Sequence, residues 1–596
     1  MDPRARFDDL RPRSRRSFSL TGCEEVLVAH DVSRVVAVLE RAERAVAEGK
    51  WVAGFVAYEA APAFDAAFTV REPADVRLPL AWFAVYAGRR STTPPADGRY
   101  TVGTWSATDD AGHHAAAVDR IRQAIARGDT YQVNHTFRMS APFEGDPEAL
   151  YLDLIGGQSC GYGAFIDAGE WAIASASPEL FFEWRHGKVT SRPMKGTTAR
   201  GFEIEDDEGR RARLVRSEKD RAENLMIVDM VRNDIGRVAR TGTVAVPELF
   251  TAEKYDTVWQ LTSTVTAEPR PATTLPDLFG ALFPCASITG APKVATMRLI
   301  ADLESTPRGV YCGAVGYGGP RPGGPEWAFN VAIRTVTLDR VSGIAEYGTG
   351  GGVTYDSTAG GEYREALLKA RVLERRTAGF SLLETMRWSP GHGYRDLTAH
   401  LERLTRSAWY FDVPVDPAEV RSALDAAVRQ ETDPRRVRLL VARDGTISTE
   451  TGDLPAPSDP VSMVLDTERI DPGDAMLRHK TTERTIYENA AGRHPGFDDV
   501  VLVTTDGLVA DTTVATFCAE IDGTWFTPPV SDGALPGVAR KRLVETGRLR
   551  ERSIPVEQLS RATRVARLNS VRGWEAATVE TLAISHPAGQ PLRRRR

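Results

Sequence analysis

SEKDRAENLMIVDMVRNDIGR, Ser217–Arg237, reads as a single helical stretch, and it carries two carboxylates, Asp220 and Glu223, three residues apart. That spacing places both on one helix face. Much further along, GEYREALLKAR (Gly361–Arg371) repeats the device with Glu362 and Glu365 at the start of another helix. Two such pairs form either a hard-oxygen site for Mg²⁺, which favours carboxylates, waters and a ligand oxygen, or two solvated helix faces.

Around these helices, strand-like runs (Trp51–Tyr58, Ala172–Ser175, Leu180–Trp184) are interspersed with helical patterns (Ala115–Arg127, Tyr363–Leu373). The order is mixed and not strictly alternating, which predicts a large layered α+β domain over residues 1–375 rather than a doubly wound sheet. Ser91–Gly98 and Glu203–Arg213 (EIEDDEGRRAR) are hydrophilic and are expected to be surface loops. A boundary is expected near 374–380 (LERRTAGF), where a basic helix end meets Thr-Ala-Gly. Residues 376–596 then predict a second α/β or α+β domain. It opens with a strand (Ser381–Trp388), a helix (Leu397–Trp409) and a strand (Val437–Arg443), followed by a sandwich-like run of short strands over Val500–Pro529.

Composition narrows the function. The 596 residues are 42% hydrophobic and 26% charged, which excludes a largely disordered chain. A net charge of −6 supplies no basic field for nucleic acid, and the PLRRRR end reads as a solvated tail. No apolar run is long enough to span a membrane, and MDPRARFDDLRPRSRR has no secretory h-region. Five scattered cysteines fit a reducing cytoplasm without disulfide or zinc framework. Only nine of the 75 basic residues are lysines, so each amine capable of nucleophilic work is worth inspecting. YGTGGGVTYDS (Tyr347–Ser357) offers unobstructed backbone N–H groups to an anion, or forms a tight turn, and SITGAPK (Ser287–Lys293) opens a helix where a carboxylate can sit.

The ordered set SASPELFF (175–182), RPMKGT (192–197), EKDRAEN, VRNDIGR, SITGAPK, GYGG, AFNVAIRT and the glycine-rich run with GEYREA closely resembles the chorismate-utilising enzymes. These comprise anthranilate synthase large subunits, aminodeoxychorismate synthase component I, and isochorismate and salicylate synthases. The resemblance covers most of residues 50–375 and implies an α+β fold with a deep cleft, Mg²⁺ and chorismate. It implies Glu223 and Glu365 as direct Mg²⁺ ligands, with Asp220 and Glu362 acting through water. Glu179 is implied as the acid that protonates the departing C4 hydroxyl. Arg334 and Tyr317 are implied as the holders of a substrate carboxylate, helped by amides near Gly350–Gly352 (Gly350 and Gly351 among them) and by Thr289. Gln132 stands where the water-activating family members carry a Lys base, which argues against water as nucleophile. Lys195 stands where anthranilate synthases carry Ala and aminodeoxychorismate synthases carry Lys. As a neutral, desolvated amine it would add at C2 while the C4 hydroxyl leaves, and ammonia would then add at C4 and expel it. Gln260, where many anthranilate synthases have His, points the same way. No glutaminase-type nucleophile elbow is found, so a separate glutamine amidotransferase subunit is expected to deliver ammonia.

From residue 380 onward, FSLLETMRW, HLERLTRSA, RLLVARDG, HKTTERTIYENA, FTPPVSDGALPGVAR and NSVRGW resemble the fold-type IV pyridoxal 5'-phosphate enzymes, a two-lobed α/β architecture. That family contains branched-chain and D-amino-acid aminotransferases and aminodeoxychorismate lyase. Lys480, the only lysine between 370 and 540, matches the lysine that binds the cofactor covalently. Arg403, the amides of Gly537 and Val538, and Ser570 match its phosphate site. The pattern departs at ADTTVAT (510–516): Asp511 and Thr516 replace the usual Glu and Asn, and Asp is shorter by about 1.3–1.5 Å. Together the two resemblances imply consecutive reactions, amination of chorismate and then elimination of pyruvate to 4-aminobenzoate, for folate or an aminobenzoate-derived metabolite. The alternatives are a second domain that is a true aminotransferase, inactive, or a docking module, and a first domain that makes anthranilate. The second domain is also a candidate surface for a homodimer.

Overall fold

The computed structural model describes residues 2–11, 15–72, 77–92, 98–156, 160–201, 204–255, 258–373, 380–456 and 460–580. The centre of the expected Ser91–Gly98 loop, the 374–379 boundary and the PLRRRR tail lie outside them. The chain divides into two compact units, Met1–Ala378 and Gly379–Arg596.

In the first unit, strands that pair antiparallel form an extensive sheet system flanked by helices. Its largest core joins the Val32–Ala47, Glu218–Gly236 and Leu275–Leu282 helices to strands such as Trp51–Val56 and Glu326–Val331. Three local pairings build the site. The glycine-rich Ile344–Val353 strand runs beside Gln132–Gly145, with Gly350 opposite Thr136 and Gly352 opposite Asn134. Gly290–Ala291 adds to the start of the same strand, opposite Val133 and Gln132. Met194–Ala199 pairs with Val258–Ala267 and lies beside the Glu218–Gly236 helix, whose first turn is capped by Ser217 Oγ accepting from Asp220 N at 3.2 Å.

The stretch expected to be a 203–213 loop is instead helical, Ile204–Arg216. Its polar sequence conceals one buried anchor, Asp207, whose carboxylate accepts from Arg200 Nε, Gly201 N and Trp259 Nε1 at 2.7–3.0 Å. A tertiary bond set thus overrides the loop-like composition.

The second unit has two sheets. Leu382–Ser389, Arg435–Val441 and Ile447–Asp453 form an antiparallel sheet with the short Gly393–Tyr394 strand. Phe380, Met386 and Val437 share a core with the Leu397–Phe411 helix. The other sheet has eight strands and is mixed: Val461–Ile470 lies parallel to both Asp499–Thr504 and Gly573–Glu580. The run read as sandwich-like, Val500–Pro529, supplies strands to this one mixed sheet, because the parallel pairs draw on residues distant in the chain.

Candidate active sites

Lys195 is the centre of the first site. The Glu218–Gly236 helix holds its backbone: Asn224 Nδ2 donates to Lys195 O at 3.1 Å and to Leu261 O at 3.3 Å, while Ser263 Oγ donates to Asn224 Oδ1 at 2.6 Å. Asn224 escaped the sequence reading because its partners, Lys195, Leu261 and Ser263, lie 29 to 39 residues away. Gly196 follows at φ 100°, and a Cβ there would stand 3.1 Å from Asp220 Cβ, so only glycine lets this turn settle on the helix.

The amine itself lies 3.5 Å from Glu223 Oε2. It also fills the space over Gly352, where a Cβ would lie 2.2 Å from Lys195 Nζ and 2.8 Å from Gln132 Nε2. One residue earlier, a Cβ on Gly351 would lie 3.1 Å from Glu362 Oε2 and 3.8 Å from Glu365 Oε1. The glycine run is therefore bare on both faces: Lys195 and Gln132 lie over Gly352, the second carboxylate pair lies over Gly351 on the other side of the strand, and Lys195 reaches that pair through its field. Lysines neutralise the acids: Lys219 approaches Glu223 at 3.9 Å, and Lys369 reaches Glu365 at 2.9 Å while donating to Gly350 O at 2.9 Å. Burial pushes the Glu362 carboxyl up, and the Glu365 charge adds to that. Burial would also raise Glu365, but the Lys369 ammonium brings it below its ordinary value. Among the described residues no three His, Cys, Asp or Glu side chains form a ready metal cage. The donors are nonetheless of the hard-oxygen kind that suits a divalent cation, and lysine ammoniums already sit on two of the four carboxylates, Glu223 and Glu365.

Glu179 is almost wholly buried, its N–H donating to Ser177 Oγ at 3.2 Å. Burial pushes its carboxyl up to about 7, against a hydrogen bond from Ser287, which in turn lies 3.3 Å from Cys285 Sγ. Glu179 Oε1 and both polar atoms of the Gln132 amide are buried without a hydrogen-bond partner among the described residues. Orphaned groups of this kind cost on the order of 1–3 kcal/mol each until a ligand satisfies them. Thr289 is less available: its hydroxyl donates to Cys285 O at 3.0 Å and its carbonyl accepts from Asn134 N at 2.7 Å. Arg308 ties the Ala286–Ile288 turn to the Gln132–Gly145 strand, donating to Ile288 O and Asn134 O at 2.7–2.8 Å with its charge set on Glu304, which Arg138 shares.

The expected Arg334–Tyr317 pair is divided. The Tyr317 ring packs on Phe7 and Phe18, with centroids 4.8 and 5.0 Å away, and faces an apolar cluster with Trp51. Arg334, at φ 50°, lies 6.0 Å from the Tyr255 ring. The tyrosine on the glycine floor is Tyr311, whose ring covers Gly348, two and four residues before Gly350 and Gly352 on the same strand face. In YCGAVGY both tyrosines look alike from sequence, but Tyr311 lies in the turn before the Ala314–Gly319 strand and Tyr317 within that strand.

In the second unit, Lys480 follows the Ala475–Arg478 turn and is fixed by its carbonyl, which accepts from Leu383 N at 2.9 Å. Burial pushes its amine down to about 8, helped by the Arg403 and Arg484 cations. Arg403 is gripped by Glu384 at 2.6 and 2.8 Å, and its Nη1 donates to Pro536 O at 3.2 Å, directly before Gly537 and the Val538–Glu545 helix. The expected phosphate donors Arg403, Gly537 and Val538 thus come together. A Cβ on Gly537 would lie 3.1 Å from Thr516 Oγ1, so the cradle is tight. Burial would raise Glu384, but Arg403, with His400 at 2.7 Å, holds it down to about 2. Ser570 lies half-buried in the turn after the Ala562–Asn569 strand, whose Leu568 packs in one cluster with Ala539. Asp511 is buried and accepts from the N–H groups of Thr512, Phe517 and Leu535 at 3.0–3.1 Å, yet burial still pushes it up to about 7.

Comparison with known proteins agrees with this geometry. The family model for chorismate binding enzymes matches residues 8–375. The chain therefore belongs to the chorismate binding enzymes. Residues 381–578 match amino-transferase class IV, a group that implies pyridoxal phosphate. An aminodeoxychorismate synthase from Streptomyces griseus is 41% identical over 290 residues, 48% of this chain and 39% of that protein. Aminodeoxychorismate synthase component 1 from Klebsiella aerogenes is 38% identical over 309 residues, 50% of this chain and 65% of that protein. The chain thus spans less than two thirds of either relative. Anthranilate synthase component I from Streptococcus pneumoniae superposes with a TM-score of 0.51 at 28% identity, covering 56% of this chain and 85% of that one. No described helix is long and apolar enough to cross a membrane.

Proposed function

We propose that the first unit combines chorismate with ammonia to give 4-amino-4-deoxychorismate and water, and that the second converts this product to 4-aminobenzoate and pyruvate. The observation that carries the reading is the placement of the Lys195 amine over the glycine floor beside two orphaned buried groups, Gln132 and Glu179 Oε1.

Asp220, Glu223, Glu362 and Glu365 would hold Mg²⁺, which offsets the negative charge of a bound carboxylate. Lys195 Nζ attacks C2 of the ring, and the C4 hydroxyl leaves as water with the proton of Glu179, whose raised value keeps it protonated near neutrality. Ammonia then adds at C4 and the C2–N bond to Lys195 breaks. Gln132, an amide, positions the ring and cannot take a proton from water, so hydroxyl transfer to C2 is disfavoured.

The ammonia source is a glutamine amidotransferase partner. Four of the five cysteines are buried, and burial pushes the thiols of Cys160 and Cys285 up to about 12 and Cys312 up to about 11, the opposite of what a glutaminase nucleophile needs.

In the second unit Lys480 would hold pyridoxal phosphate, with Arg403, Gly537, Val538 and Ser570 about its phosphate and Asp511 toward its ring nitrogen. When bound, that group supplies an electron sink for the C4–H bond. The Lys480 amine, pushed down to about 8, is poised to move the C4 proton as pyruvate departs and the ring becomes aromatic. The three amides on Asp511 favour a second reading, in which its carboxylate stays committed to the backbone and the unit turns over weakly or acts on another amine.

The test is mass spectrometry of products from chorismate, ammonium, Mg²⁺ and pyridoxal phosphate. Para-aminobenzoate with pyruvate is expected. Ortho-aminobenzoate would assign anthranilate formation, accumulating 4-amino-4-deoxychorismate would assign the second reading, and rapid turnover with glutamine and no added ammonium would remove the partner.

A further inference from the structure

Two guanidinium groups lie in the electrostatic field of Lys480, and they differ in one respect. Arg403 is neutralised by Glu384, which takes both its Nε and Nη2. Arg484, four residues after Lys480, has no ion pair among the described residues. One of its N–H groups donates to the carbonyl of Thr513, and its planar face lies 4.6 Å from the Tyr487 ring centroid. That leaves a half-buried cation with unused donors in a fixed orientation.

The orientation is fixed on both sides. Thr513 sits in a turn bolted to Asp499, which accepts from Thr513 N at 3.0 Å and Thr513 Oγ1 at 2.6 Å and is itself paired with Arg567 at 3.1 Å. Tyr487 belongs to the Thr485–Arg493 helix, packed against Leu477 and Val500. A guanidinium stacked on a ring and tied to one carbonyl presents its remaining edge as a fork, the shape that matches a carboxylate with two parallel hydrogen bonds. The amine substrate of this unit keeps both carboxylates of chorismate, so its site needs a cation that the cofactor phosphate does not use.

We propose that Arg484 is the substrate-carboxylate anchor of the second unit, the residue that orients the amine-bearing ring against Lys480. The assignment rests on the class IV reading of this unit.

The full chain loaded with pyridoxal phosphate is titrated with 4-aminobenzoate and with 4-aminobenzamide, its neutral isostere, following the cofactor absorbance. The parent chain should prefer the carboxylate by tenfold or more. Arg484→Gln should lose that preference and raise KM for 4-amino-4-deoxychorismate by a similar factor, with the intensity and wavelength of the cofactor band unchanged. Arg484→Lys should restore part of the preference, since it returns the charge without the fork. It also decides the matter if the Gln variant does not fold. An unchanged preference in Arg484→Gln overturns the assignment, and so does loss or shift of the cofactor band, which would place Arg484 on the cofactor. Absence of any cofactor band in the parent chain overturns the class IV reading itself, and the anchor with it.

Discussion

Lys195 and Lys480 are the same functional group in opposite surroundings. Lys195 sits among carboxylates, with Glu223 at 3.5 Å and Glu362 and Glu365 within its field, over a floor of glycines. Lys480 sits among guanidiniums, and burial with Arg403 and Arg484 brings its amine down to about 8. The contrast teaches that burial, more than the sign of the neighbouring charge, frees the Lys480 amine for a carbonyl, since Glu384 and Asp511 oppose the two arginines there. Around Lys195 the carboxylates can gather a cation, which leaves the amine to act as the nucleophile.

The sharpest way to break the comparison is to remove each amine in turn. Lys195→Ala is expected to lose on the order of 10⁴-fold in amination while the second unit still processes added 4-amino-4-deoxychorismate. Lys480→Ala should reverse the pattern, abolishing the cofactor absorbance and leaving amination intact. Chromatography of both products reads the outcome, and loss of both activities in either variant would merge the two sites into one.

Next comes the acid. Glu179→Gln is expected to cost about 10²–10⁴-fold in amination. In the parent chain, the carboxyl raised to about 7 is protonated below that value, so amination should fall as pH rises through about 7. The same sign applies to stability: burial of the neutral acid favours the fold at low pH, and that contribution is lost as pH rises through about 7. A pH–rate profile flat from 6 to 8 would remove Glu179 from the chemistry.

A smaller change tests the glycine floor. Gly352→Ala puts a Cβ 2.2 Å from the present position of Lys195 Nζ, a flexible end that moves aside. Amination should drop by roughly 10²-fold or less with little loss of melting temperature. Equal rates would mean that the amine works from elsewhere.

For Lys480, lowered to about 8, the free amine fraction falls roughly tenfold per pH unit below that value, so the rate of pyridoxal phosphate uptake should fall in step between pH 7 and 6. Stopped-flow absorbance measures it. The smallest effect is expected from Asp511→Asn, which keeps one acceptor oxygen for Thr512 and Phe517 N–H but turns an NH2 toward Leu535 N–H, costing about 1–3 kcal/mol of stability. A much larger loss of cofactor binding in that variant would show that its charge faces the ring nitrogen.

Much of the first site was legible from residue spacing. The i, i+3 pairs Asp220–Glu223 and Glu362–Glu365 lie on helices because a helix brings every third or fourth residue to one face, and that rule needs no partner. Scarcity made Lys195 and Lys480 conspicuous, and motif order made the family resemblance specific. What spacing leaves open is which face meets which. Tyr317 and Tyr311 are equivalent in sequence, and the fold sends the strand tyrosine into the Phe7–Phe18 cluster and the turn tyrosine over Gly348. The Ile204–Arg216 helix reads as a loop because one of its fixing contacts, Trp259 Nε1 to Asp207, joins residues 52 apart in the chain.

The sequence by itself determined most of the elements, the scarce amines and the carboxylate faces, since these follow from local periodicity and residue chemistry. Only the tertiary structure decided their company: Lys195 over glycine and beside Glu223, Arg403 neutralised by Glu384, Arg484 left with its charge unspent. The reason is physical. Burial and the field of neighbouring charges depend on distances across the fold, and those distances exist only once the chain has closed on itself.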